Sequence, residues 1–287
     1  MGRAQLLSIL IVIALLATVP PLPWPQGSER DSWLLEAAST TVEHTSPPPK
    51  KPATALPARF TLLNWNSYKQ NEQHQWQQEY DHLLSQYQPQ LITLQEAVTS
   101  PTPWPHQRPF AIFAPNLEQQ PQFFGLMTLS TVAPTQHWLA HSPTKEPILN
   151  TPKIALYSQY PLAQHSLLLV NVHAINFATN NAYQQHLTQL TQTIQRHQQE
   201  HGAVIVSGDL NSWNANRMQR LHDSLAHLNL QPVRFDNEEI IRDFLGYPLD
   251  HIFISPNLKV LQAQALADYH SSDHQPLVAT FEFHPHG

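Results

Sequence analysis

Four strand-like runs carry side chains that could hold a cation or move protons. In LITLQEA (91–97), Glu96 is expected to share a face with Ile92 and Leu94, because side chains alternate at period two. In LLLVNVHA (167–174) Asn171 and His173 share a face, and in PLDHIFIS (248–255) Asp250 lies with Ile252 and Ile254. In VIVSGDLN (204–211) Asp209 follows a hydrophobic strand and Asn211 stands two residues on. Carboxylates on such faces are costly to bury unless paired or bound to a metal. Glu, Asp, Asn and His converging from separate strand ends would supply the groups for a hard divalent cation and for proton transfer. Each residue alone has a plainer reading. Asp209, Asn211 and Asn214 suit a turn and an N-cap, Asp273 in SSDHQP suits an Asx turn, and Asn66 and Glu96 suit solvated strand ends. Five such strand ends in one chain favour a shared cleft.

The elements that must position these residues alternate from Phe60 onward. Strand-like runs are Phe60–Asn66, Leu91–Glu96, Gly125–Ser130, Ile154–Tyr157, Leu167–Ala174, Val204–Asp209, Leu249–Ser255 and Leu277–Phe283. Helical spacing marks Gln75–Tyr87, Tyr183–Gln199 and Asn214–Leu228. Together they predict one α/β domain of packed sheets with outer helices. A short amphipathic helix is also expected over 31–43, from Trp33, Leu34, Leu35 and Ala38. No repeat at solenoid periods is visible.

Composition narrows the chemistry. The 287 residues include no Cys and only 7 Gly, which excludes thiolate metal sites, cysteine nucleophiles and the glycine-rich dinucleotide, P-loop and nucleophile-elbow motifs. Charged residues are only 13%. Gln, at about a tenth of the chain, and 18 His take their place. The amino end differs from the rest: Leu6 to Val19 is almost purely aliphatic and no charge falls between Arg3 and Glu29. Residues 1–25 therefore read as a signal peptide or an uncleaved membrane anchor, and 26–58, with HTSPPPKKPATALPAR at 44–59, as a Pro-rich linker. Arg3 before the apolar run and Glu29, Asp31, Glu36 and Glu43 after it place the 59–287 domain outside the cytoplasm, anchored to a membrane or secreted. Of 15 basic and 21 acidic residues, five and four lie in 1–59, so residues 60–287 hold ten against 17, a formal charge of −7. That balance disfavours non-specific duplex binding.

In order, the chain carries LLNWN (62–66), LQEA (94–97), GLMTLS (125–130), NVHAINF (171–177), GDLNSW (208–213), LDHIF (249–253) and SDHQP (272–276). This series resembles the endonuclease/exonuclease/phosphatase superfamily, the fold of deoxyribonuclease I. With WNSYKQ (65–70) and EPIL (146–149) it looks closest to the YafD-like bacterial subgroup. The resemblance implies a four-layer α/β sandwich, two packed mixed sheets flanked by helices, in a monomer. It implies Mg²⁺- or Mn²⁺-dependent hydrolysis of a phosphate ester, whether small molecule, lipid headgroup or nucleic acid. By the same resemblance Glu96, Asn66 and Asp273 would hold the metal and Asp209 would orient or deprotonate water. Asn211 would bind a phosphate oxygen, and His274, held by Asp250, would stabilise the transition state or shuttle a proton. His173 matches the deoxyribonuclease I and sphingomyelinase branches, whereas abasic endonucleases carry Tyr there. Lys69 could meet a substrate phosphate, and Arg217, Arg220, Arg234 and Arg242 could line one edge of the cleft. His137, His186 and His222 are given no role. Two rivals stand beside this reading: an H-x-x-E-H zinc-peptidase pattern at His197, Glu200 and His201, and a catalytically inactive, anchored binding module.

Overall fold

The computed structural model describes residues 33–36, 53–100, 108–147, 150–198 and 202–285. The chain-order strands of the first sheet are β1 (Trp33–Glu36), β2 (Arg59–Asn66), β3 (Leu91–Thr99), β4 (Phe110–Gln119) and β5 (Gln122–Ser130). Those of the second are β6 (Gln136–Lys145), β7 (Pro152–Leu162), β8 (His165–His173), β9 (Ala203–Asp209) and β10 (Gln231–Pro232). β11 (Asp243–Phe244) and β12 (Tyr247–Pro248) form a small hairpin, followed by β13 (Asp250–Ile254), β14 (Leu258–Ala265) and β15 (Leu277–Phe283). The sheet orders are β1-β4-β5-β3-β2-β15-β14 and β10-β13-β9-β8-β7-β6. In each, one parallel pair, β2 with β3 and β8 with β9, sits among antiparallel neighbours.

Among the described residues three α-helices cover the outer faces: α1 (His74–Tyr87), α2 (Asn180–His197) and α3 (Ala215–Ala226). Trp76, Tyr80, Leu83 and Leu84 of α1 pack on Leu63, Trp65, Ile92 and Leu94 of the first sheet. Tyr183, Leu187, Leu190 and Ile194 of α2, with Leu221 and Leu225 of α3, cover Val170, Val172, Val204 and Val206 of the second. Between the sheets lie Phe60, Leu62, Leu91, Leu167, Leu169, Ile205, Ile252 and Leu277. The result is the expected four-layer α/β sandwich.

Alternation explains why one end of the intersheet layer turns polar. The face that begins with Phe60 and Leu62 continues through Asn64 to Asn66, and that of Leu167 and Leu169 through Asn171 to His173. Midway, Asn64 Oδ1 accepts from Thr93 Oγ1 at 2.9 Å, Ser207 Oγ at 3.0 Å and Gln95 Nε2 at 3.0 Å. Gln95 Nε2 also donates to Asn171 Oδ1 at 2.7 Å, so Asn171 ties the two sheets together behind the cleft.

Some expectations are corrected. Trp33–Glu36 is a strand paired antiparallel with β4, not part of a helix, because the free edge of β4 offers a ladder of backbone partners. The end of the Pro-rich stretch is docked, with Leu56 only 1% exposed and its N–H donating to Pro161 O at 2.8 Å. Residues 1–25 and much of 26–58 lie outside the described residues, as do Glu200 and His201 of the H-x-x-E-H pattern. No helix among the described residues is long and apolar enough to cross a membrane.

Candidate active site

The site residues gather where β2, β8 and β9 end, β13 begins and β3 bulges. His173 and Asp209 are register partners in β8 and β9, and Asp209 and Asp250 are partners in β9 and β13. Gly208 permits this closeness: it adopts φ +148°, and a Cβ there would stand 2.0 Å from Val172 O.

Asp209 is the hub. Its Oδ2 accepts from Asn66 Nδ2 at 3.1 Å and faces His173 Nε2 at 3.4 Å, while Oδ1 accepts from the Asn211 N–H at 3.1 Å. Burial, then repulsion from Asp250, pushes its carboxyl pKa up. Asn211, at φ +47°, also donates Nδ2 to Ala174 O at 2.9 Å, which leaves one amide N–H for another partner. On the other side, Asp250 Oδ2 holds His274 Nδ1 at 2.6 Å. Burial opposes charge on His274, yet Asp250 outweighs it and raises the imidazole pKa to about 10. Trp65 Nε1 fixes the His274 carbonyl at 2.8 Å, and Ser272 Oγ accepts the His274 N–H at 3.1 Å.

Glu96 reaches the site by a route that alternation did not foresee. A bulge between Leu94 and Ala97 lets Ala97 take the face that Leu94 holds, and Glu96 itself adopts φ +49°. Glu96 therefore does not share the α1-facing surface of Ile92 and Leu94. Burial would raise its carboxyl, but Lys69, His173, Lys153 and His274 together bring it down to about 2. Lys69 Nζ stands 3.3 Å from Glu96 Oε2. Asp273 is partly exposed, with Oδ2 3.3 Å from Arg242 Nη2 and Oδ1 3.9 Å from His274 Nε2. Burial, then the charges of Asp273 and Glu96, push the Tyr68 hydroxyl pKa up.

The basic edge is not as expected. Arg217 is fully buried, donating to Ile175 O, Asn211 O and Ala178 O at 2.8–3.0 Å between the rings of Tyr183 and Trp213. Arg220 bonds Asn216 and Gln184, and Arg234 pairs with Glu238 in the open. Of the four, only Arg242 meets a site side chain, Asp273; Arg217 touches the site only through the backbone carbonyl of Asn211. Asn214 is the N-cap of α3, as its plainer reading held, accepting from Arg217 N at 2.9 Å. His186 is not idle: it is 2% exposed, and Nδ1 accepts the Ile175 N–H at 3.3 Å, two residues after His173. Sequence reasoning passed over Lys153 and Glu146. Lys153 Nζ lies 3.1 Å from His173 Nε2 and 3.7 Å from Glu146 Oε1. The only signals were the EPIL motif and a lysine immediately before the strand-like run Ile154–Tyr157.

A model of the Endonuclease/Exonuclease/phosphatase family matches residues 63–274, a span from β2 to the His274 that Asp250 holds. The chain belongs to this family. A UPF0294 protein of Vibrio cholerae is 36% identical over 240 residues, covering 81% of each chain. Among solved structures, a mannosyl-6-phosphatase of Bacteroides thetaiotaomicron matches with TM-score 0.58 at 14% identity, over 78% of this chain and 100% of that one. D. rerio TDP2 bound to a single-strand DNA product matches with TM-score 0.57 at 16% identity, over 78% and 98%. At these identities the two structures speak for the endonuclease/exonuclease/phosphatase fold alone.

Proposed function

We propose that this chain hydrolyses phosphate esters in the cleft, with Mg²⁺ or Mn²⁺ held by Glu96, Asn66 and Asp273 and with water oriented by Asp209. The observation that carries the reading is the pairing of opposites across one pocket: His274 held positive by Asp250 at 2.6 Å, and Asp209 held by Asn66 and Asn211 as an acceptor. The residues suit a hard cation. Glu96 Oε2, apart from the Lys69 ammonium at 3.3 Å, and Asp273 Oδ1 are buried oxygens that accept no hydrogen bond, and the ligands would all be oxygen. Among the described residues no three His, Asp or Glu side chains gather for a metal by themselves, so the amide of Asn66 and water would complete the set. Bound there, the cation would neutralise charge developing on the phosphoryl oxygens.

The remaining work falls to the side chains. Asp209, raised by burial and by Asp250, is suited to take a proton from an attacking water. His274, kept protonated, donates toward a phosphoryl oxygen, and its backbone anchors at Trp65 and Ser272 keep it from drifting. The free amide N–H of Asn211 offers a second donor to phosphate. A charge of −7 over residues 60–287 supports small or lipid-borne phosphates over duplex nucleic acid. Residues 1–25 would tether or export the domain so that it works outside the cytoplasm.

The test is a substrate panel with purified full-length protein: a small phosphomonoester, a phospholipid headgroup diester and plasmid DNA. Hydrolysis should vanish with chelator, return with Mg²⁺ or Mn²⁺, and fail to return in Glu96→Gln. Full activity in excess chelator overturns the proposal, and efficient plasmid cleavage at physiological salt makes the enzyme a nuclease. No hydrolysis of any member favours the binding module. Glu200→Gln should match wild type, since an inactive variant would revive the peptidase reading.

A further inference from the structure

Among the described residues four large apolar side chains are well exposed, and three of them border the site: Tyr68 at 37%, Phe177 at 53% and Leu245 at 65%. From this rim, and from the direction in which the chain enters the fold, we infer that the site end of the domain seats on a lipid bilayer with the cleft facing it. Resting on the proposed hydrolysis, this narrows the substrate class to phosphate esters carried by lipids.

Each rim residue belongs to a segment that also carries a site residue. Tyr68 stands two residues after Asn66, and its N–H donates to Asn66 Oδ1 at 3.0 Å. Phe177 stands four residues after His173, and its N–H donates to Asn176 Oδ1 at 2.8 Å. The same oxygen takes Trp213 Nε1 at 3.0 Å, and the Trp213 ring meets Phe244 edge-on at 6.2 Å between centroids. Phe244 leads into Leu245 at the tip of the β11–β12 hairpin, just after the Arg242 that reaches Asp273. Half-buried Trp213 and Phe244 therefore link Phe177 to Leu245 along one side of the site, and Tyr68 stands beside Asn66. Tyr68, Phe177 and Leu245 all take left-handed backbone, at φ +50°, +49° and +55°, which bulky residues seldom adopt. The Asn66 and Asn176 carboxamides hold two of these turns, and Asp243 Oδ1 holds the third by accepting the Gly246 N–H at 2.7 Å. The fourth exposed side chain, Leu261, lies on β14 beside the start of β2, away from the site.

Strand pairing decides which way the preceding chain leaves. Trp33 pairs with Phe113, Phe113 with Met127, Met127 with Leu94, and Leu94 with Trp65, the neighbour of Asn66. Glu36 instead pairs with Phe110, level with Ser130 and Leu91 at the far end. Followed backward from Glu36 to Trp33, β1 thus runs toward the end of the sheet that bears the site. The aliphatic run Leu6–Val19 precedes it, and residues 20–32 between them span at most about 45 Å. With that run in a bilayer, the domain hangs with its cleft end toward the lipid. The charge of −7 on residues 60–287 gives no attraction to an anionic surface, so the contact is made by aromatic and aliphatic side chains at the interface. A protein partner on the rim would leave the shared direction of β1 and the cleft unexplained.

The chain has no Cys, so one dye can be placed at a time on full-length protein incorporated into phosphatidylcholine vesicles. An environment-sensitive dye at Phe177→Cys or Leu245→Cys should shift to the blue, be quenched by nitroxide-bearing phosphatidylcholine and be shielded from aqueous iodide. The same dye at Gln164→Cys, exposed in the β7–β8 turn at the opposite end, should be open to iodide and untouched by the lipid nitroxide. The rim signals should persist at high salt, because the contact is apolar. Rim dyes that iodide reaches as freely as the dye at Gln164→Cys overturn the inference. Dyes shielded from iodide but not quenched from the lipid overturn it in favour of a protein on the rim. The kinetic arm compares one phosphate ester on a long-chain lipid in these vesicles with its short-chain soluble analogue. Combining Phe177→Ser with Leu245→Ser should lower the ratio of vesicle rate to soluble rate about tenfold or more. An unchanged ratio, or a wild type that cleaves only the soluble ester, overturns the lipid assignment. If wild type cleaves neither ester, the proposed hydrolysis fails, while the dyes still decide whether the rim meets the bilayer.

Discussion

His186 offers a quantitative test of how the fold supports the cleft. It belongs to α2 with its ring buried, its Nδ1 accepts the Ile175 N–H, and burial pushes its pKa from 6.5 down to about 4. A base whose folded pKa is depressed binds protons more readily when unfolded. Its contribution to stability is therefore intact above the unfolded value and is lost as pH falls from 6.5 through 4. Between pH 7 and pH 5 that linkage amounts to about 2 kcal/mol. His251, also buried and brought down to about 4, should add a similar loss, so wild type should weaken by about 4 kcal/mol from the two together. His186→Asn offers an amide oxygen near the position of Nδ1 but nothing that titrates. Urea unfolding at pH 7 and pH 5 should show the variant losing about 2 kcal/mol less than wild type over that interval. Equal losses would show that His186 is not held neutral by burial, and the account of the Ile175 anchor would fall.

Other outcomes follow from the same geometry. Asp250→Asn removes the counter-charge of His274, so turnover should fall about 100-fold at pH 8 and the alkaline limb of the kcat profile should move from near pH 10 toward neutral. An unmoved limb would contradict the assigned pair. Arg217→Met breaks three hydrogen bonds that clamp the loops after β8 and β9, and should cost about 3 kcal/mol or more in urea unfolding, with lower turnover. A stable, fully active variant would show the clamp to be dispensable. A phosphatase reporter fused after residue 58 should be active outside the cytoplasm. A soluble cytoplasmic product with an intact amino end would refute both the anchor and the signal peptide.

Residue type and short-range periodicity were enough to place the chemistry at strand ends. Asn66, His173, Asp209 and Asp250 each continue a hydrophobic alternation, and nothing beyond the local sequence is needed to see that they leave the core on the intersheet face. The helices and eight of the strands were legible for the same reason. β4, β6 and β14 were not, because Pro115 and Pro143 interrupt two of them and Gln and Ala dilute the third. Tertiary structure decided what pairing decides. The bulge that turns Glu96 inward depends on its partner β5, and the burial of Arg217 on carbonyls from two other loops. Asp250 and His274 are 24 residues apart, and Lys153 and His173 are 20 apart. No local pattern shows that the first pair joins opposite charges while the second sets a cation against an imidazole. Electrostatics depends on distance through space, and only the folded sheets fix that distance.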